Sequence, residues 1–155
     1  MGRKMELSSS PIIVHIINYA EINYLPIGGI YMKLNTFMTI TAIVAIIFGL
    51  GFILVPEPSL KPYGTTTDLT GLFLGRYFGA SLIGIAFITW LTRNAPPSAT
   101  RKGLLAGLFV TMVLGFVVAL YDKFAGTGNA LIWLNVAIYF LLGVGFGYFA
   151  FMKAD

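Results

Sequence analysis

The chain contains no cysteine, so disulfides, thiolate metal sites, iron–sulfur clusters and thiol redox chemistry are excluded. Histidine occurs once, at His15, which rules out a haem held between two histidines of the same chain. Charge is scarce as well. Asp, Glu, Lys and Arg make up 10% of the residues, where a soluble domain carries about 25%. With 57% hydrophobic residues and a mean hydropathy of +0.86, the chain has too little polar surface to cover itself in water. Lipid is the solvent this composition suits. The net charge of +4 does not point to nucleic acid. Its basic residues sit in short clusters between apolar runs, not interleaved with aromatics on one soluble face.

What the chain does contain is four long apolar runs, at 37–55, 70–92, 103–121 and 130–152. Each holds roughly 19 to 23 residues, and about 20 at helical rise cross a hydrocarbon core. Each must be helical, because an isolated strand would leave its backbone groups unpaired in lipid. Short loops with Pro56, Pro58 and Pro62, then Pro96 and Pro97, then Gly126 and Gly128 separate the runs. Asp68 or Thr70 is placed to cap the second helix. Such loops force sequential neighbours to run antiparallel, so the expected fold is all-α: an integral membrane, up-down-up-down four-helix bundle.

Orientation follows from the basic residues near the helix ends. Arg3, Lys4, Lys33, Arg93, Arg101, Lys102 and Lys153 fall on one side. Lys61 and Lys123 fall on the other, with Glu57, Asp68 and Asp122. Both termini are therefore expected on the cytoplasmic side of a cell (inner) membrane. Residues 1–31 form a separate extension. The apolar stretch 11–30 is interrupted by His15, Asn18, Glu21, Asn23, Pro26, Gly28 and Gly29. It is read either as a short helix lying on the membrane surface or as sequence upstream of a true start at Met32. No signal-peptide cleavage pattern is present. His15 stands alone and receives no role.

Arg76 is the one charge inside a span. An arginine at a helix centre costs about 2.5–3.5 kcal/mol on insertion scales, so it faces the bundle interior, water or an interface. Six residues into its helix, it lies about 9 Å deep. Asn135 enters the fourth helix to a similar depth from the same side. The expected ligand site is an outer cluster of Arg76 and Asn135, with Asp122 or Asp68 as counter-charge. It would hold a lipid head group, a quinone carbonyl or another small anion. The same residues also fit a structural role, with Arg76 in an ion pair or snorkelling and Asn135 hydrogen bonding between helices.

Glycines recur every fourth residue at Gly71, Gly75 and Gly79, at Gly103 and Gly107, and at Gly143 and Gly147. That spacing lines one helix face where a neighbouring backbone approaches closely, and internal packing is the expected use. Tyr63, Trp90, Tyr121 and Trp133 fall at span boundaries, as interfacial anchors do. No acidic residue lies within any span, so a proton-coupled exporter relying on a membrane-embedded glutamate lacks its key residue. Paired carboxylates, histidine clusters and serine–histidine pairs are absent from these spans. An enzyme, a metal site and a cofactor are not expected.

The region from about Leu34 to Met152 resembles the DoxX-like group of small bacterial four-helix membrane proteins. The shared features are Gly49, Gly51 and Pro56 at the end of the first helix and Arg76-Tyr77-Phe78-Gly79 early in the second. Trp90 ahead of Arg93 and Trp133-Leu134-Asn135 at the start of the fourth helix complete the likeness. The resemblance implies a bacterial inner-membrane bundle with Arg76 as its polar position, and no established activity. The expected function is non-enzymatic binding of a lipid or small amphipathic molecule. Alternatives are an accessory subunit of a larger membrane complex or homo-oligomer, and a small transporter, for which the spans offer only scattered threonines and a serine.

Overall fold

The computed structural model describes residues 24–27, 30–64 and 67–152. It begins with two antiparallel strands, β1 (Tyr24–Ile27) and β2 (Ile30–Lys33), paired so that Tyr24 lies opposite Lys33 and Ile27 opposite Ile30. These strands lie at the C-terminal edge of the stretch 11–30, beyond the residues whose spacing suggested a surface helix. Tyr24, Ile27, Ile30 and Tyr31 supply the aromatic and β-branched residues that favour strands here. His15, Asn18 and Glu21 lie outside the described residues.

The rest is helical: α1 (Leu34–Leu54), a short α2 (Pro56–Leu60) leading into a 3-10 turn at Lys61–Tyr63, α3 (Leu69–Thr92), α4 (Ala99–Phe124) and α5 (Ile132–Gly147). A π turn (Tyr148–Met152) continues α5. Four of these segments are long and apolar enough to cross a membrane. The ends follow local chemistry. Val55 leaves helical geometry just before Pro56, where the proline ring disfavours a helical neighbour. The Asp68 carboxylate accepts from Gly71 N at 2.8 Å and starts α3. Ser98 Oγ accepts from Arg101 N at 3.1 Å and starts α4, so that helix begins at Ala99 rather than at Gly103. At its other end Gly126 takes a left-handed φ of 77°, and Thr127 N reaches back to Asp122 O at 3.0 Å. This is a Schellman closure, which needs a residue tolerant of positive φ.

Helices pair as two antiparallel hairpins. α1 and α3 touch through glycines: a Cβ added at Gly79 would lie 2.7 Å from Gly49 O, and one at Gly49 would lie 3.0 Å from Gly79 O. Gly75 is buried on the same face. In the second hairpin the Tyr139 ring of α5 lies against Gly115 of α4, and a Cβ on Gly147 would meet the Phe109 ring at 3.0 Å. Gly143 is buried near Met112.

The remaining predicted glycines behave differently. Gly71 borders the Thr67 side chain, not another helix. Gly103 and Gly107 have nothing within 4 Å of an added Cβ, so internal packing does not account for them. The four-residue spacing marks one helix face but leaves open which way that face turns.

The hairpins join at the end carrying Lys33, Arg93, Arg101 and Lys102, here the basic end. Phe37 of α1 packs on Gly145 and edge-on to Phe146 at 4.9 Å between ring centroids. Leu34, Met38, Leu105, Leu108 and Phe149 complete this core. At the opposite, mixed-charge end the link is polar. Asn129 N donates to Tyr63 O at 2.9 Å, and Asn129 Nδ2 donates to Pro62 O at 2.8 Å. Much of the outer helix surface is apolar and exposed, including Leu69, Phe73, Phe87 and Leu91 on α3.

Candidate functional site

Because the hairpins are packed together at one end and tied through Tyr63 and Asn129 at the other, a cleft remains between them. It encloses about 90 Å³ and is partly open to the outside. α1 supplies one wall through Thr41, Val44, Ala45, Phe48 and Phe52, a run at three- and four-residue spacing that shares one helix face. α3 supplies Phe78, Leu82 and Ile85, and α5 supplies Ile138 and Leu142. α4 reaches the cleft only through Met112, where the core of the basic end closes it off.

Its polar side chains are few and uncharged: Thr41, Tyr63, Asn135 and Tyr139. The Thr41 hydroxyl donates to Phe37 O at 3.0 Å and is satisfied within its own helix. Tyr63 ends the 3-10 turn that begins at Lys61, with Pro62 between them. Its hydroxyl crosses to the other hairpin and donates to Asn135 Oδ1 at 3.0 Å. Tyr139, one turn below Asn135, is half-buried and needs the missing side chain of Gly115 to lie flat against α4. No Asp, Glu, Lys or Arg lines the cleft.

The four residues expected to form a cluster make no polar contact with one another among the described residues. Asn135 faces Tyr63, and the Asp68 carboxylate is used at the start of α3. Asp122 lies in the last turn of α4. Arg76 is exposed, one residue past the buried Gly75. Among the described residues no hydrogen bond or ion pair joins Arg76 to Asn135, Asp68 or Asp122.

Tyr63 is the residue that sequence reasoning assigned elsewhere, as an interfacial anchor. The only hint of its role is a tyrosine held in a Pro-Tyr-Gly turn. Trp90 has a local partner too, with the Arg93 guanidinium 3.7 Å above its ring. A second depression, at the basic end, is bordered by Pro97, Ser98, Arg101 and Lys102. There Arg101 Nη1 donates to Ala95 O at 2.9 Å.

Fold and cleft together define an all-α protein of two apolar helical hairpins enclosing a lipophilic cleft with a neutral polar end. Residues 39–153 match the model of a family described as a domain of unknown function, DUF8292. The match spans most of the chain, and the chain belongs to that family. No curated protein and no solved structure matches it.

Proposed function

We propose that this chain is a multi-pass membrane protein that holds a lipid or small amphipathic molecule in the cleft between its two hairpins, without catalysing a reaction. The cleft carries the reading. Apolar walls ending at a small polar group are the usual construction of a site for a lipophilic ligand. The many exposed large hydrophobic residues support a membrane as the medium, since large exposed apolar patches are rare on a soluble monomer. The basic residues gathered at one end support an orientation with that end, and both termini, in the cytoplasm. A reporter fused after Asp155 and active only outside the cytoplasm would overturn that orientation. The kinship with DoxX-like proteins is likewise proposed, and rests on the Arg76-Tyr77-Phe78-Gly79 and Trp133-Leu134-Asn135 segments.

The test of binding is to fill the cleft. Ala45 is buried in its wall, and Ala45→Trp places an indole in the space. The full chain purified in mild detergent is expected to keep one lipid-sized adduct in native mass spectrometry, and the variant to lose it. Equal adducts on both proteins, or none on either, would sink the reading. Accessory-subunit behaviour has one supporting observation. Gly103 and Gly107 leave an open strip on α4 that a foreign helix can approach closely. A stoichiometric partner protein retained through the same purification would favour it. Transport finds no comparable support, because Met38, Leu105 and Phe146 fill the bundle below the cleft.

A further inference from the structure

The cleft is polar at one end and apolar along its length, and that gradient specifies what fits. This inference rests on the cleft being a ligand site and concerns the class of ligand. At the mixed-charge end, Tyr63 and Asn135 together carry three polar hydrogens, one on the phenol and two on the amide. Their mutual bond at 3.0 Å uses one. Two remain whichever way the amide is turned, and among the described residues neither is given to another protein group. From there Asn135, Ile138, Tyr139 and Leu142 line the cleft over about 10 Å of helix.

Two features narrow the occupant. With no charged residue in the lining, an anionic group would be buried without a counter-charge, at heavy cost. Neutral donors instead match an uncharged acceptor such as a carbonyl. The space is also narrow. About 90 Å³ is less than the about 150 Å³ of an apolar cavity that holds benzene, so a single file of methylenes suits it better than a fused ring. In the membrane orientation proposed above, the donors lie near the outer interface and the apolar walls run toward the midplane. An acyl ester of the outer leaflet has that same sequence of polarity.

We propose that the cleft takes the ester-linked end of one acyl chain of a membrane lipid. The ester carbonyl accepts from the Tyr63–Asn135 pair, the first methylenes lie along α5, and the head group stays outside. The experiment compares diester phosphatidylethanolamine with its diether analogue, matched in chain length, on the delipidated full chain by native mass spectrometry. One neutral hydrogen bond gives the diester a preference of about fivefold to tenfold. Tyr63→Phe leaves both amide hydrogens and keeps that preference. The triple variant Tyr63→Phe, Asn135→Leu and Tyr139→Phe removes every phenol and amide hydrogen lining the cleft in a similar shape and abolishes it. Equal retention of diester and diether by the wild type, both lost in Ala45→Trp, overturns the carbonyl assignment and leaves the cleft reading intact. Retention of neither lipid removes the cleft reading itself. Displacement of the diester by an equal concentration of palmitate overturns the choice of a neutral ligand.

Discussion

Replacing Gly79 by alanine adds one methyl at the tightest point between α1 and α3. Its Cβ would stand 2.7 Å from Gly49 O, 2.9 Å from Phe52 Cβ and 2.9 Å from Ile53 Cγ1. The first is backbone and the second is fixed to it, so no rotamer change relieves either contact. Restoring ordinary contact at 3.4 Å requires α1 to retreat by about 0.7 Å, and a gap of that order forfeits a quarter to a half of the dispersion well for every pair it opens. Overpacking of this type costs about 1–3 kcal/mol. Alanine's better helix propensity returns about 0.8–1.0 kcal/mol. The expected net loss is about 0–2 kcal/mol, which leaves Gly79→Ala about 1–3 kcal/mol below a variant with the propensity gain alone. Gly107→Ala supplies the control, since nothing lies within 4 Å of its Cβ and only the propensity gain remains. The assay is reversible unfolding of the purified chain in mixed micelles, with both variants and Gly49→Ala. Gly49 and Gly79 face each other, so the double alanine variant should lose less than the sum of the singles. A Gly79→Ala protein as stable as Gly107→Ala would refute the close crossing of α1 and α3.

Two further substitutions probe residues the sequence had grouped with Asn135. Asp68→Ala removes the carboxylate that accepts from Gly71 N at 2.8 Å and should cost about 1 kcal/mol in the same unfolding assay, while Asp68→Asn retains most of it. A neutral Asp68→Ala result would mean that α3 does not depend on this cap. Arg76→Leu removes an exposed side chain without a partner among the described residues. Stability should therefore change by no more than about 0.5 kcal/mol, and adducts in the cleft should persist in native mass spectrometry. Loss of several kcal/mol would reveal an ion pair, and loss of the adduct would return Arg76 to the site.

What could be read from the sequence divides along a physical line: position along a helix axis was legible and rotation about that axis was not. Runs without charge marked the helices at 37–55, 70–92, 103–121 and 130–152, against the observed Leu34–Leu54, Leu69–Thr92, Ala99–Phe124 and Ile132–Met152. The shortfalls fall where a polar first turn is stabilised by Ser98 or where α1 runs on from a strand, features a hydropathy count does not weigh. Counting residues from the helix start set Arg76 level with Asn135, and that led to grouping them. But in a soluble helix the polar face reports the rotation, whereas a helix apolar all round carries no such label. Arg76 follows Gly75 by one residue, about 100° around the helix, and Gly75 is the residue buried toward Pro56 and Leu60 of α2 and Phe52 of α1. The same ambiguity separates Gly79, held against Gly49, from Gly107, which faces open space. The part Tyr63 plays in the cleft was hidden for another reason. Its partner lies 72 residues away, and only the packing of one hairpin on the other brings the phenol to Asn135. A cleft formed between two hairpins has no contiguous signature, because its walls come from four helices and a turn that lie far apart in the chain.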